Sequence, residues 1–314
     1  MATAAVPAAM AQEGSAAAAA SRTPTGKVPA AVSVLSIVEH PSLDALRDGL
    51  HDELKDAGYQ DGKSLHWAYQ SAQGNQGTAV QIARKFVGDR PDVIVPIATP
   101  AAQAVVSATH QIPVVYNAIT DPIAAQIVKS MAPSGTNVTG VSDKLVADRQ
   151  VAFIKRVVPD VKRVGIIYSP AEANSVSATR EMKVALEKQG ISLVEVAAPR
   201  SIDVGQAAQR LVGKVDVIYT SNDNNVISAY ESVIKVANAA KIPLICADRS
   251  SVQRGATGAM AIDYYRMGRQ TGRMVLRILN GEKPGDIASE TSDRLDITLN
   301  LDAARRQGAT LSPE

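Results

Sequence analysis

From Val32 onward, short apolar runs alternate with longer stretches whose apolar residues recur every three or four positions, the pattern of parallel strands joined by crossover helices. Strands are predicted at 32–38, 65–69, 92–98 and 113–119 in the first half of the chain, and at 163–169, 192–196, 215–221 and 242–248 in the second. Between the first two runs Leu43, Leu46, Leu50, Leu54 and Ala57 share one helical face, and Gly58 behind them suits a left-handed C-terminal turn. Val226, Tyr230, Val233 and Ala237 predict another helix, and Met267, Thr271, Met274 and Ile278, ahead of Gly281, a third.

The two halves repeat one unit. Asp92-Val-Ile-Val leads through a helix to Ile112-Pro-Val-Val, and Asp216-Val-Ile-Tyr leads through a helix to Ile242-Pro-Leu-Ile, about 125 residues later. This predicts an α/β protein of two doubly wound lobes. In such sheets ligands bind beyond the carboxyl ends of the strands, where helix N-termini offer free N–H groups. Two lobes facing each other make a cleft.

Composition supports the class and narrows the partners. The 314 residues suffice for about two domains. Hydrophobic residues reach 46% but aromatics only 4%, so the core must be Val, Ile, Leu and Ala, as in buried parallel strands. A net charge of +2 gives no field to hold a polyphosphate, which excludes nucleic acid as an expected partner. Apolar runs are strand-sized, short of the roughly 18 residues of a membrane span. Cys246, the single cysteine, permits neither an internal disulfide nor a Cys-based metal site and reads as a buried core thiol. Residues 1–31 read as an unfolded Ala-rich leader. Within it Ala9-Met10-Ala11 before Gln12 has the small-residue step a signal peptidase accepts, so the segment is either a trimmed export signal or a plain leader. It carries no N-terminal cysteine for a lipid anchor.

The residues after the strands are the candidate site. In the first half they are Glu39 and His40, Gln73 to Asn75, Thr99 and Pro100, then Thr120 and Asp121. In the second they are Glu172, Asn174 and Ser175, Asn222 to Asn224, then Asp248 and Arg249. The acids outnumber the lone arginine, which disfavours phosphate, sulfate and sugar acids and suits a ligand bearing an ammonium. A helix opening at Pro100 and Ala101 offers free amides to a carboxylate, so a zwitterion fits. Capping competes: Asp121 and Asn174 read equally as helix N-caps, Glu172 as solvated surface and His40 as a loop residue. Asp223 stands out, because polar neighbours flank it directly after a buried strand. No G-x-S-x-G, H-E-x-x-H, Walker or strand-following G-x-G-x-x-G motif occurs, and the four histidines do not cluster. No catalytic residue, metal site or cofactor is predicted.

Particular strings narrow the reading further. Ile37-Val-Glu-His-Pro-Ser-Leu-Asp44, Tyr69-Gln-Ser-Ala-Gln-Gly-Asn75, Ala98-Thr-Pro-Ala-Ala-Gln103, Thr120-Asp-Pro122 and Asn137-Val-Thr-Gly-Val-Ser142 occur in order. Ala173-Asn-Ser175, Asp223-Asn224, Ile262-Asp-Tyr-Tyr265 and Gly268-Arg-Gln-Thr-Gly272 follow. Together they resemble the ABC transporter substrate-binding proteins of the type that binds tryptophan or phenylalanine, from about Val32 to about Thr298. The resemblance implies a type I periplasmic binding protein fold, with two lobes joined by a three-strand hinge. It also implies an exported, soluble, monomeric receptor in the periplasm that closes on a small solute, and delivers it to a membrane permease with its ATPase.

On that basis the first lobe is expected to comprise 32–142 and 264–287 and the second 143–263 and 288–310, with hinges at 140–143, 263–265 and near Ile287. Thr99 and the amides of Ala101 and Ala102 are expected to hold a ligand carboxylate, reached from the other lobe by Asn174 and Ser175. Asp223, or else Asp121 or Glu39, is expected to face the ammonium. His40, Thr120, Asn222 and Asp248 complete the set. Arg249 departs from the family's usual small polar residue and could neutralise Asp248 or grip a carboxylate. Two other classes remain open: a ligand-sensing receptor domain of the same fold, and an enzyme of the doubly wound class.

Overall fold

The computed structural model describes residues 23–292 and 294–311. The Ala9-Met10-Ala11 step thus lies outside the described residues. The end of the expected leader is ordered instead: Lys27 pairs with Asp92, and its N–H bonds to the Leu279 carbonyl at 2.9 Å. The first strand opens at Ala30, ahead of the expected start.

The chain begins β1 (Ala30–Ser36), α1 (Pro41–Asp56), β2 (Leu65–Ser71), α2 (Gln76–Asp89), β3 (Val93–Ile97), α3 (Thr99–Ala108), β4 (Val114–Asn117) and β5 (Val138–Ser142). It continues α4 (Ala147–Val157), β6 (Arg163–Tyr168), α5 (Ala173–Glu187), β7 (Ser192–Ala197), α6 (Val204–Leu211) and β8 (Val217–Thr220). Then come α7 (Asn224–Ser228), α8 (Tyr230–Ala240), β9 (Leu244–Asp248), α9 (Arg249–Arg254) and β10 (Gly258–Ile262). The last elements are α10 (Tyr264–Leu279), β11 (Glu290–Thr291), β12 (Leu295–Leu299) and α11 (Leu301–Arg306).

The two sheets repeat one order, β2-β1-β3-β4-β5 with β11 on the far edge and β7-β6-β8-β9-β10 with β12 on the far edge. All pairs are parallel except β12 on β10. Helices cover both faces, so successive strand residues enter opposite cores. Val164, Ile166, Val217, Tyr219, Ile245 and Ala247 pack on one side of the second sheet, and Ile167, Ile218, Leu244 and Cys246 on the other.

The chain passes from the first sheet to the second after Ser142, back after Ile262, and over again after Thr291. The third passage lies beyond the position expected near Ile287, because Ile287 is buried in the first core and Glu290 and Thr291 still pair with Val141 and Ser142. Strands β5, β10, β11 and β12 were not among those predicted: β5 and β10 each contain a glycine, β11 has two residues, and β12 alternates on an edge. The helix predicted through Val226 and Tyr230 is broken at Ala229, where the Ser228 hydroxyl has bonded back to the Asn224 carbonyl at 2.6 Å.

Helix α10 returns to the first lobe and lies backbone to backbone on α1. A Cβ on Gly268 would stand 2.1 Å from the Leu46 carbonyl oxygen, and one on Gly49 would stand 2.1 Å from that of Tyr265. Only glycine permits this approach, which seats Tyr264 at the start of α10. Gly268→Ala should therefore destabilise the protein by about 1–3 kcal/mol, measured as a lower urea midpoint with unchanged m-value.

Candidate functional site

The sheets face each other with their carboxyl ends, and the site forms where β1 and β3, and likewise β6 and β8, diverge into different loops. In the first lobe β3 ends into Ala98, whose φ of 72° and ψ of 156° are strained for a residue with a Cβ. Its N–H bonds to the Asn117 carbonyl at 3.0 Å, and its carbonyl accepts from the Ala102 N–H at 3.1 Å. This turn starts α3 with Thr99 and Pro100, leaving the N–H groups of Thr99 and Ala101 outside the helix's own ladder. Ala102, in contrast, has spent its amide on Ala98 and is no carboxylate donor as expected.

A small cavity of about 10 Å³, room for about one water, lies between the lobes. It is lined by Leu43, Ala98, Thr99, Ala118 and Thr120 from the first lobe and by Asn174, Asn222, Asn224 and Ile227 from the second, with Asp143 and Tyr264 at the two crossings. A more open cleft of about 270 Å³ lies outside it, bordered by Gln73, Gln76 and Pro100 on one side and Glu172, Arg200 and Asn225 on the other. Among the described residues, no lysine or arginine lines the inner cavity.

Asp143, fully buried, holds the crossings together. Its carboxylate accepts from Thr120 Oγ1 at 2.9 Å, Asn222 Nδ2 at 2.9 Å and Tyr264 Oη at 2.7 Å. Burial raises its pKa against the pull of these donors. Glu172 does similar work one layer out, accepting from Asn174 Nδ2 at 3.1 Å and from the backbone and side chain of Asn224 at 3.3 and 2.6 Å. Burial, with Asp223 adding repulsion, pushes its pKa up to about 7. Each carboxylate draws an amide nitrogen to itself, which turns the amide oxygens the other way. Asn174 Oδ1 and Asn222 Oδ1 are buried without a partner, as is Thr99 Oγ1 across the cavity. The second lobe thus presents acceptors, and the first presents donors at the α3 N-terminus.

His40 caps α1 through Nδ1, which accepts the Leu43 N–H at 3.5 Å, so the ring proton sits on Nε2, buried beside the Asn224 side chain. Burial pushes its pKa down to about 4. Asp248, buried, accepts from Ser42 Oγ across the lobes at 2.9 Å, from Ser250 Oγ at 2.6 Å and from the Ser251 N–H at 2.9 Å. The Arg249 side chain is exposed to solvent and neutralises nothing at this position.

Several expected roles do not hold. Asp223 is wholly buried within the second lobe, taking Ser169 Oγ and the Val226 N–H on one oxygen and the Ser169 N–H and Ser175 Oγ on the other, at 2.6–2.9 Å. It caps α7 and ties down Ser175, so neither residue reaches the cavity. Asp121 accepts the Ala124 N–H and Ser177 Oγ and lies 3.5 Å from Lys144, a contact between lobes outside the cavity. Glu39 is exposed, bonded to Tyr69 and Gln73. Thr99, Thr120, Asn174 and Asn222 are brought to the cavity wall, and the amide of Ala101 lies at the same helix end. Asn224, named among the strand-end residues, also lines the cavity, while Asp143, Tyr264, Leu43 and Ile227 were missed. For Asp143 the signal was its place directly after Asn137-Val-Thr-Gly-Val-Ser142, read only as a hinge.

The family described as ABC transporter substrate binding protein matches residues 31–314. A tyrosine-binding protein of Clostridioides difficile is 39% identical over 274 residues, covering 87% of this chain and 79% of that protein. A solved ABC domain in complex with L-Trp from Streptococcus pneumonia is 34% identical with a TM-score of 0.87, covering 90% of this chain and 96% of that one. A ligand-free, open substrate binding protein with adhesive properties from Clostridium difficile is 38% identical, with the same coverage, but its TM-score is 0.70. No helix among the described residues is long and apolar enough to cross a membrane.

The buried acids set a pH dependence whose sign is fixed. Glu172 binds its proton more tightly folded, near pH 7, than unfolded, near 4.5, so the folded state carries more protons between these values and stability falls as pH rises through that window. Buried, neutral His40 works the other way between about pH 6.5 and 4, so the acid's share is read by difference: from pH 8 to pH 5 the melting temperature of the wild type should rise relative to that of Glu172→Gln. Asp223→Ala, which takes the acceptor from the Val226 N–H and Ser175 Oγ and one acceptor each from the Ser169 N–H and Oγ, should cost about 3 kcal/mol, read by chemical denaturation.

Proposed function

Because the chain belongs to the ABC transporter substrate binding protein family, we propose that it is the extracytoplasmic solute receptor of an ABC importer and that its ligand is an aromatic α-amino acid. One observation carries the ligand class: the opposed polarity of the cavity walls. A carboxylate meets Thr99 Oγ1 and the N–H groups of Thr99 and Ala101 at the positive end of α3. An ammonium, three donors and no acceptor, meets Asn174 Oδ1, Asn222 Oδ1 and the Asp143 carboxylate. A sugar, with hydroxyls that donate and accept alike, gains nothing from such segregation. An oxyanion would face Asp143 with no cation beside it. Leu43, Ala98, Ala118 and Ile227 give apolar contact for a side chain, and the tyrosine- and L-Trp-binding relatives support its being aromatic.

The cavity holds about one water, so the lobes part to admit such a ligand and reclose on it. The hinge lies in the passages after Ser142, Ile262 and Thr291. The closer likeness in shape to the L-Trp complex than to the open, ligand-free relative supports reading the arrangement of the lobes as closed. The receptor works outside the cytoplasm and hands its ligand unchanged to a permease driven by an ATPase.

Titration calorimetry should find L-tyrosine, L-tryptophan or L-phenylalanine bound more tightly than glucose, phosphate or sulfate, with compaction by X-ray scattering. Tighter binding of a sugar or oxyanion overturns the ligand class. Asp143→Asn should weaken amino-acid binding about 30-fold or more, with the fold verified by melting.

A further inference from the structure

The geometry points to Glu172 as the positioning residue that makes this site select for an amine: without touching the ligand, it turns Asn174 so that the second lobe's wall accepts hydrogen bonds there and does not donate them. The inference rests on the amino-acid reading above.

Glu172 stands at the N-cap position of α5, but its side chain does not cap that helix. It reaches across to the start of α7, where Oε2 alone gathers three N–H groups: Asn174 Nδ2, the Asn224 backbone N–H and Asn224 Nδ2. Asn174 Nδ2 donates its second hydrogen to the Asn222 carbonyl at 2.8 Å. With both hydrogens committed away from the cavity, only Asn174 Oδ1 is left to face it, and that atom is buried with no partner. An amide is symmetric in shape and asymmetric in polarity. A flipped Asn174 fits the same space but would aim two donors at the ligand. What forbids the flip is the pair of acceptors behind it, the Glu172 carboxylate and the Asn222 carbonyl, since an amide oxygen turned toward either meets repulsion in place of a bond.

Glu172 borders the outer cleft, whereas both asparagines line the inner cavity, so they form the partition between the two spaces. Charged and titratable groups around it are Asp223 at the α7 cap, Arg200 on the same rim of the outer cleft, and, beyond the asparagines, Asp143 and His40. Asp143 performs the same operation on Asn222. The acceptor wall is thus built twice over by buried carboxylates placed behind amides.

The test is a ratio of affinities on the full chain, taken between L-tyrosine and its desamino analogue 3-(4-hydroxyphenyl)propanoate, which keeps the ring and carboxylate but lacks the amine. Wild type should prefer tyrosine strongly. Glu172→Leu removes the charged one of the two acceptors that hold Asn174 Nδ2 and should shrink that preference by about tenfold, the value of roughly one good hydrogen bond. Glu172→Gln keeps one oxygen and should fall between. A purely structural role predicts that both ligands weaken by the same factor, leaving the ratio unmoved, and that result overturns the inference while leaving the amino-acid reading intact. A wild type that binds both ligands equally overturns both. Should Glu172→Leu not fold, an unchanged ratio in Glu172→Gln counts against the inference equally. The wild-type side-chain amide NMR signals of Asn174 and Asn224 give an independent check: they should titrate with Glu172, with a midpoint that moves down when tyrosine binds and not when the desamino acid does.

Discussion

A carboxylate buried between two lobes must be given donors, and where those donors come from decides how the lobes are held. Asp143 draws them from three distant segments: Thr120 after β4, Asn222 after β8 and Tyr264 at the start of α10. Each lies at a strand end or a crossing, so the hydrogen bonds that satisfy one charge fix the first lobe, the second lobe and the return passage at one point. The glycine contact between α1 and α10 serves this arrangement, because α10 carries Tyr264 and cannot sit elsewhere while its backbone is seated on that of α1.

Duplication supplies two sheets of one order, yet the two lobes give the cavity opposite chemistry. The first contributes the end of a helix, aimed by a strained turn at Ala98. The second contributes side-chain amides whose direction is set from behind. Backbone dipoles offer donors at the start of a helix and have no comparable way to offer acceptors there. An acceptor wall at the start of α5 and α7 therefore has to be built from side chains, and an amide pinned by a buried carboxylate achieves it without placing a second negative charge on the ligand.

The strand and helix pattern was legible because parallel strands buried on both faces must be apolar throughout, as six of the eight predicted runs are, while β2 and β7 are half-exposed edge strands. Of the strands that escaped, β11 is two residues on an edge and β12 alternates polar with apolar residues on another, while β5 and β10 are buried but short and each carries a glycine that weakens the apolar run. At the site the sequence pointed to the right loops but the wrong acid. Asp223 sits among polar neighbours, a real signal of a demanding environment, but that environment is Ser169, Ser175 and the α7 N-terminus inside one lobe. Asp143 follows a short strand interrupted by Gly140, and its partners are remote in sequence. No local pattern distinguishes a carboxylate that turns inward from one that faces a ligand. That distinction appears only when the third dimension places the donors.

Bonds between the lobes ring the cavity: Ser42 to Asp248, Ser177 to Asp121, Gln76 to the Ala171 carbonyl, and Lys144 between Asp121 and Glu181. In an open form water satisfies the same groups, so each contributes only a small net preference for closure. The buried polar atoms inside the ring behave differently. Asn174 Oδ1, Asn222 Oδ1 and Thr99 Oγ1 lose water on closing and, in a cavity that admits about one water, have little to replace it with. Under the function proposed above, closing on an empty cavity forfeits hydrogen bonds that closing on a zwitterion regains. The rim bonds set the shape of the closed form, while the interior makes its population depend on the ligand, which is the differential contact that a shift between two states requires.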